Sequence, residues 1–439
     1  MFFKYSHKHI SRLVQQSLVR RISVLAGGTV SAQVITLLAT PLITRLYTPE
    51  DYGILGIFTS TLAIISVVAA LSYPMAIALP REKQEAGLLF SISICLSLVV
   101  STSLGLLLYF KGSNILAYFS IEELSSLQYL LPPAVFFATL NTSVTNWLAR
   151  DGAFSHIAKL SIATATMTVS SRLLFGFLNP SAIALASSAI GAAAISSVLA
   201  MLTWAPHQKR PSAFILTRVS AQAVAAKYRD FAFLRTPQVF INTASHGLPV
   251  VLIAVYAGAQ EAGLFALASS ILAAPTRLLA GSVYTVFYPS ISADIAEGKA
   301  CLRQIQTTTK GIAVAGALPT IVVLFLGPEL FITAFGANWE GAGVYGQLLG
   351  VWVFLQVVNK PAVAAVPALK GQKELLAYEV LSTLSKIFAL WIGFEVFNSS
   401  YVAVAFFSAS GCLAYIFLIA WVFKRAANHD HLIGDRMNE

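Results

Sequence analysis

Runs of about twenty apolar residues, each long enough to cross the hydrocarbon of a bilayer, recur from one end of this 439-residue chain to the other. Nothing else restricts the fold as strongly. A segment in lipid must satisfy every backbone N–H and C=O internally, so helices and closed barrels are the only spanning structures. Barrel strands alternate apolar and polar residues, whereas stretches such as 312–326 are apolar on every side. The chain is 57% hydrophobic and 11% charged, against about a quarter charged in a soluble domain. The reading is an all-α integral membrane protein.

Candidate spans are 22–44, 53–79, 87–110, 126–148, 156–178, 181–204, 231–256, 263–289, 310–327, 344–369, 375–397 and 400–423, about twelve transmembrane helices. The longest break falls at the middle. It divides the chain into a six-helix lobe over 1–204, a cytoplasmic linker over 205–230 and a second six-helix lobe over 231–439. With the N-terminus inside, the cytoplasmic segments hold 22 of the 29 Lys and Arg residues, as the positive-inside rule requires. That bias explains most of the +10 net charge without any nucleic-acid partner. Both termini are expected in the cytoplasm. The basic N-terminal stretch lacks a short apolar core with a cleavage site, and reads as a retained arm.

The segment LYTPEDYGILGIF (46–58) has an echo, YAGAQEAGLFALA (256–268). A constant shift of 210 aligns Leu42 with Leu252, Asp51 with Glu261, Gly53 with Gly263 and Ser60 with Ser270. Six crossings per lobe is an even number, so the halves form a parallel repeat about an axis along the membrane normal. A cavity between the lobes is expected.

Five cations fall inside candidate spans: Arg172, Arg235, Arg277, Lys360 and Lys386. Each costs about 2.5–3.5 kcal/mol at the centre of a helix on insertion scales. Only Glu379 and Glu395 lie in spans to offset them, both near ends. The cations sit on polar stripes at helical spacing: Ser270, Arg277, Gly281 and Tyr284; Glu379, Ser382 and Lys386; Gln356 and Lys360; Arg235, Gln238, Asn242 and His246. Positive walls in a wet cavity attract an anion, above all a phosphate. Arg277, Lys360 and Lys386 are therefore the principal candidate substrate-binding residues, with Arg172 and Arg235 behind them. Helix-to-helix hydrogen bonding to carbonyls is the competing explanation. His246 is a candidate proton carrier. Prolines 41, 74, 132, 133, 237, 249, 275, 319, 361 and 367 interrupt spans and are expected to kink them.

No catalytic signature is present: neither GxSxG, Walker A nor HExxH occurs. Cys95, Cys301 and Cys412 are far apart and read as packing residues, with no disulfide, metal site or cofactor.

TPEDYGILGIF with LSYPMAIALPREKQEAGLL, and later EAGLFALASSILAAPTRLLAGSVYTVFYPSIS (261–292) and FGANWEGAG (335–343), resemble bacterial polysaccharide-biosynthesis flippases. These belong to the multidrug/oligosaccharidyl-lipid/polysaccharide exporter superfamily. The resemblance implies two six-helix bundles working by alternating access, and no enzymatic activity. It implies translocation of an undecaprenyl-pyrophosphate-linked oligosaccharide, such as an O-antigen precursor, across the inner membrane. Membrane lipids and polysaccharide polymerase machinery are the implied partners. Alternatives are a multidrug antiporter of the same superfamily, a peptidoglycan-precursor flippase, a membrane-bound O-antigen polymerase or ligase, and a membrane scaffold.

Overall fold

The computed structural model of the protein describes the backbone over 2–204, 218–283 and 287–438, and side chains over 23–203, 221–276, 283 and 287–433. Among the described residues there is no strand. The helices, in chain order, are α1 (Phe2–Thr44), α2 (Pro49–Ala69), the short α3 (Tyr73–Ala76), α4 (Lys83–Tyr118), α5 (Leu131–Arg150), α6 (Phe154–Leu178), α7 (Ala182–Trp204) and α8 (Arg218–Lys227). They continue with α9 (Thr236–Ser282), α10 (Tyr288–Ala296), α11 (Leu302–Phe335), α12 (Glu340–Val358), the short α13 (Lys360–Ala365), α14 (Gln372–Phe397) and α15 (Ser400–Asn438).

Ten of the described helical segments are long and apolar enough to cross a membrane. The protein is a multi-pass membrane protein. Two differences separate ten from twelve. The span expected over 126–148 is α5, whose Asn141, Thr142, Ser143 and Asn146 lower its hydropathy. The spans over 231–256 and 263–289 run together as one segment, 231–276. They remain two helices in geometry, because Gly258 inside α9 has φ +86° and ψ 169°. That conformation breaks the helical ladder and suits only glycine.

The echoed segments explain themselves here. In the first copy, Asp51 Oδ2 accepts the Thr48 N–H (3.1 Å) and hydroxyl (2.8 Å), while the Asp51 N–H donates to Thr48 Oγ1 (3.2 Å). This reciprocal cap starts α2, and Glu50 and Asp51 sit at the positive end of its dipole. In the second copy Gly258 takes the place of Thr48, and Glu261 takes another partner, accepting the Tyr345 hydroxyl at 2.5 Å. Both copies bring a glycine to the same crossing. A Cβ on Gly53 would lie 1.7 Å from the Ala259 carbonyl oxygen, and one on Gly263 would lie 1.8 Å from that of Pro49. The two contacts are reciprocal under the 210-residue shift.

Several prolines differ from expectation. Pro74, Pro132, Pro133 and Pro361 occupy the first positions of α3, α5 and α13, where the missing N–H has no helical partner to lose. Pro367 lies in the turn after α13. Pro237 is the second residue of α9 and follows a π-helical turn, Phe231–Arg235. Pro41, Pro249, Pro275 and Pro319 do stand inside helices.

The chain divides into two compact units, residues 1–46 with 61–240, and 47–60 with 241–439. Of the linker expected over 205–230, residues 205–217 lie outside the described residues and 218–227 form α8. The first unit has a core around Tyr73, Ile77, Leu89, Leu148 and Ile157. The second has one around Ile291, Ile305, Ala365, Val366 and Val422.

Candidate anion-binding cavity

Helical spacing assembles the site in the second unit. On α14, Tyr378, Ser382 and Lys386 recur every four residues and share a face with Glu379. On α9, Asn242, Ser245 and His246 do the same one turn apart. Trp352 and Gln356 continue along α12 toward Asn359, where the helix breaks, and Lys360, where α13 begins. With Tyr415 on α15 these residues line a cavity of about 250 Å³. A second cavity of about 490 Å³ shares Ser245, His246, Trp352, Gln356 and Lys360 with the first. Its other walls carry the hydroxyls of Thr59, Ser60, Ser269, Ser270 and Thr276. Both lie wholly within the second unit.

Lys386 is 7% exposed. Its Nζ donates to Ser245 Oγ at 3.0 Å and stands about 6 Å from the ring centres of Trp352 (5.9 Å) and Phe407 (6.0 Å). A hydroxyl and two ring faces stabilise an ammonium without neutralising it. The Gln356 amide donates to the Tyr415 hydroxyl at 3.3 Å, fixing that wall. Asn359 is 2% exposed and its Oδ1 is buried without a hydrogen-bond partner. Glu379 is the one carboxylate among the lining residues, against Lys360 and Lys386.

Of the residues expected to bind substrate, Lys360 and Lys386 line one cavity together with His246. Arg172 is half-buried on α6, and Arg235 is exposed, donating to Gln238 Oε1 at 2.8 Å. Both belong to the first unit. The side chain of Arg277 lies outside the described residues, as do those of Gly281 and Tyr284, while Ser270 of the same stripe lines the larger cavity. Tyr378, Trp352, Asn359 and Tyr415 were not singled out from the sequence. The signal was there for two of them: Tyr378 extends the Ser382–Lys386 spacing and Trp352 extends the Gln356–Lys360 spacing, each by one turn.

The first unit has its own cavity, about 350 Å³, lined by Gln33, Asn141 and a series of Ser and Thr hydroxyls with no charged side chain. Asn141 Nδ2 donates to Ser196 Oγ (3.4 Å) and Ser197 Oγ (3.3 Å). The hydroxyls of Thr29, Thr36, Ser161 and Thr164 donate to carbonyls one turn back. Each of these oxygens keeps its lone pairs free to accept.

Cys301, His429 and Asp430 bring three metal-ligand groups within 4.8 Å of one another. The carboxylate is already committed. Asp430 Oδ1 accepts the Cys301 N–H at 2.8 Å and Oδ2 accepts the Leu302 N–H at 3.0 Å, so the group caps the start of α11.

The fold has solved relatives. A multidrug resistance MATE family transporter of the MOP superfamily, in an inward-facing conformation, superposes with a TM-score of 0.73 at 13% identity, covering 94% of this chain and 99% of that one. The lipid II flippase MurJ, in an inward closed conformation, gives a TM-score of 0.73 at 14% identity, covering 93% and 90%. In sequence, the teichuronic acid biosynthesis protein TuaB of Bacillus subtilis (strain 168) is 25% identical over 64% of this chain. The succinoglycan biosynthesis transport protein ExoT of Rhizobium meliloti (strain 1021) is 21% identical over 78% of it. The alignments take in 57% and 66% of those two proteins' own lengths. A family model described as polysaccharide biosynthesis protein matches residues 42–344, from the end of α1 into α12. That stretch is more than half of the chain, and the chain belongs to the polysaccharide biosynthesis protein family.

Proposed function

We propose that the protein is a flippase that carries a lipid-linked polysaccharide precursor across the cytoplasmic membrane, holding the anionic link of the precursor in the Lys360–Lys386 cavity. One observation carries this reading: two lysines share a cavity inside membrane-crossing helices, with a single carboxylate among its walls. A buried cation is costly unless it is paired, and a diphosphate would supply the missing charge and accept hydrogen bonds from both ammonium groups. The names of TuaB and ExoT support a polysaccharide precursor as cargo. The finer assignment is an undecaprenyl-pyrophosphate-linked oligosaccharide moved by alternating access, with both termini in the cytoplasm and polymerase machinery downstream. The acceptor-lined cavity of the first unit suits sugar hydroxyls, which donate. His246, beside both lysines, is the proposed proton carrier; His246→Gln should then flatten the pH dependence of transport.

The test is complementation of a strain lacking the gene. Lys360→Ala and Lys386→Ala, each present in the membrane at normal levels, should abolish surface polysaccharide and leave the lipid-linked unit on the inner leaflet. Normal polysaccharide in both single variants and in the double variant would overturn the reading. Glu379 favours one rival, export of cationic small molecules. Under that rival Glu379→Gln abolishes drug export, whereas under the present one it leaves polysaccharide assembly working.

A further inference from the structure

An apolar groove adjoins the cationic cavity. Between α14 and α15 runs a groove of about 540 Å³, walled by Leu381, Phe388 and Ile392 on one helix and Phe406, Leu413 and Phe417 on the other. Tyr378, Ser382 and Ala414 line both the groove and the cationic cavity. Large apolar side chains facing lipid are ordinary in a spanning helix. A concave apolar strip that adjoins, at one end, a cavity lined by two lysines is not.

We propose that this groove seats the hydrocarbon chain of a lipid diphosphate whose head occupies the cavity of Lys360 and Lys386; the proposal rests on the anion-binding reading of that cavity. Three features favour a chain over any polar occupant. The small residues Ala389 and Ala409 hollow the groove between its aromatic and aliphatic walls. Its central hydroxyls, Ser385 and Ser410, lie 2.8 Å apart and spend a hydrogen bond on each other. At the junction, Tyr378 lines both spaces, and its side chain carries both an apolar ring and a hydroxyl, the pairing an amphiphile needs. From Tyr378 to Ile392 α14 rises about 21 Å, so the groove takes a long segment of extended chain. Leu381 and Leu413 stay 67% and 70% exposed, leaving the strip open along its side for a chain to enter from the bilayer without threading.

The experiment compares inorganic pyrophosphate with geranyl, farnesyl and solanesyl diphosphates as ligands of the full-length protein in detergent, measured by native mass spectrometry. In the wild type, affinity should climb with chain length. Ala409→Trp fills the groove and should remove that climb, costing about tenfold in affinity for the longest ligand while leaving pyrophosphate binding unchanged. Lys386→Met should weaken all four ligands alike and keep the climb. Should Ala409→Trp fail to fold, Ala389→Phe fills the same groove from α14 and decides. A chain-length climb preserved in the filled variant, or absent from the wild type, overturns the groove. A climb that Ala409→Trp removes while Lys386→Met changes nothing upholds the groove and overturns the anion-binding reading instead.

Discussion

Lys386 donates to Ser245 across the interface of α14 and α9, an ammonium held at 3.0 Å from a neutral hydroxyl. The hydroxyl orients the charge and leaves it uncompensated. Lys386→Met keeps most of the length of the side chain and removes the buried cation. Thermal unfolding in detergent should show the variant to be as stable as the wild type or more so, by about 1 kcal/mol. Pyrophosphate affinity should fall about tenfold or more. A residue kept only for packing would lose stability and leave binding alone.

The Gly53–Gly263 crossing predicts a pair of destabilising variants that do not add. Each Cβ would strike a carbonyl oxygen of the facing helix, at 1.7 Å and 1.8 Å. Gly53→Ala and Gly263→Ala should each cost about 1–3 kcal/mol, as overpacked sites do. One separation of the helices relieves both clashes, so the double variant should cost less than the sum. Unfolding midpoints of the two singles and the double test this.

Asp430 caps α11 from far along the chain. Asp430→Ala leaves the Cys301 and Leu302 N–H groups without that acceptor and should cost about 1–2 kcal/mol. Asp430→Asn keeps one acceptor oxygen and should recover part of the loss. Hydrogen exchange at residues 301–305 would localise it.

Cys301 is fully buried, and burial with the neighbouring Asp430 carboxylate pushes its thiol up to about 12. The reactive thiolate is the minor form everywhere below that value. In the folded protein Cys301 should resist maleimide at pH 7 to 9, and labelling should appear once the chain is denatured. Asp430→Ala removes one of the raising influences and should speed the reaction. Peptide mass spectrometry gives the extent.

The spans were legible because twenty-residue apolar runs have one structural solution in lipid. Lys360, Lys386 and His246 were legible for the converse reason: a polar side chain in such a run stands out, and helical spacing says which neighbours share its face. Arg235 obeys the same pattern but is exposed; periodicity reports a face without reporting what covers it. α5 occupies the expected span 126–148, though its own Asn and Thr content keeps it below the apolarity of the others. First-turn prolines look identical in sequence to kinking ones until the helix start is located, as Pro361 after the break at Asn359 shows. The Asp430 cap was out of reach, because it joins residues 129 positions apart with no periodicity to connect them.

At the Gly53–Gly263 crossing the obstacle facing each glycine is main chain, which every amino acid carries. No change in a neighbouring side chain can make room for a methyl there. A genetic search for suppressors of Gly53→Ala should therefore yield true revertants, or second changes elsewhere along the two helices that let them lie farther apart. Compensating substitutions at Ala259 or Pro49 should be missing from the collection.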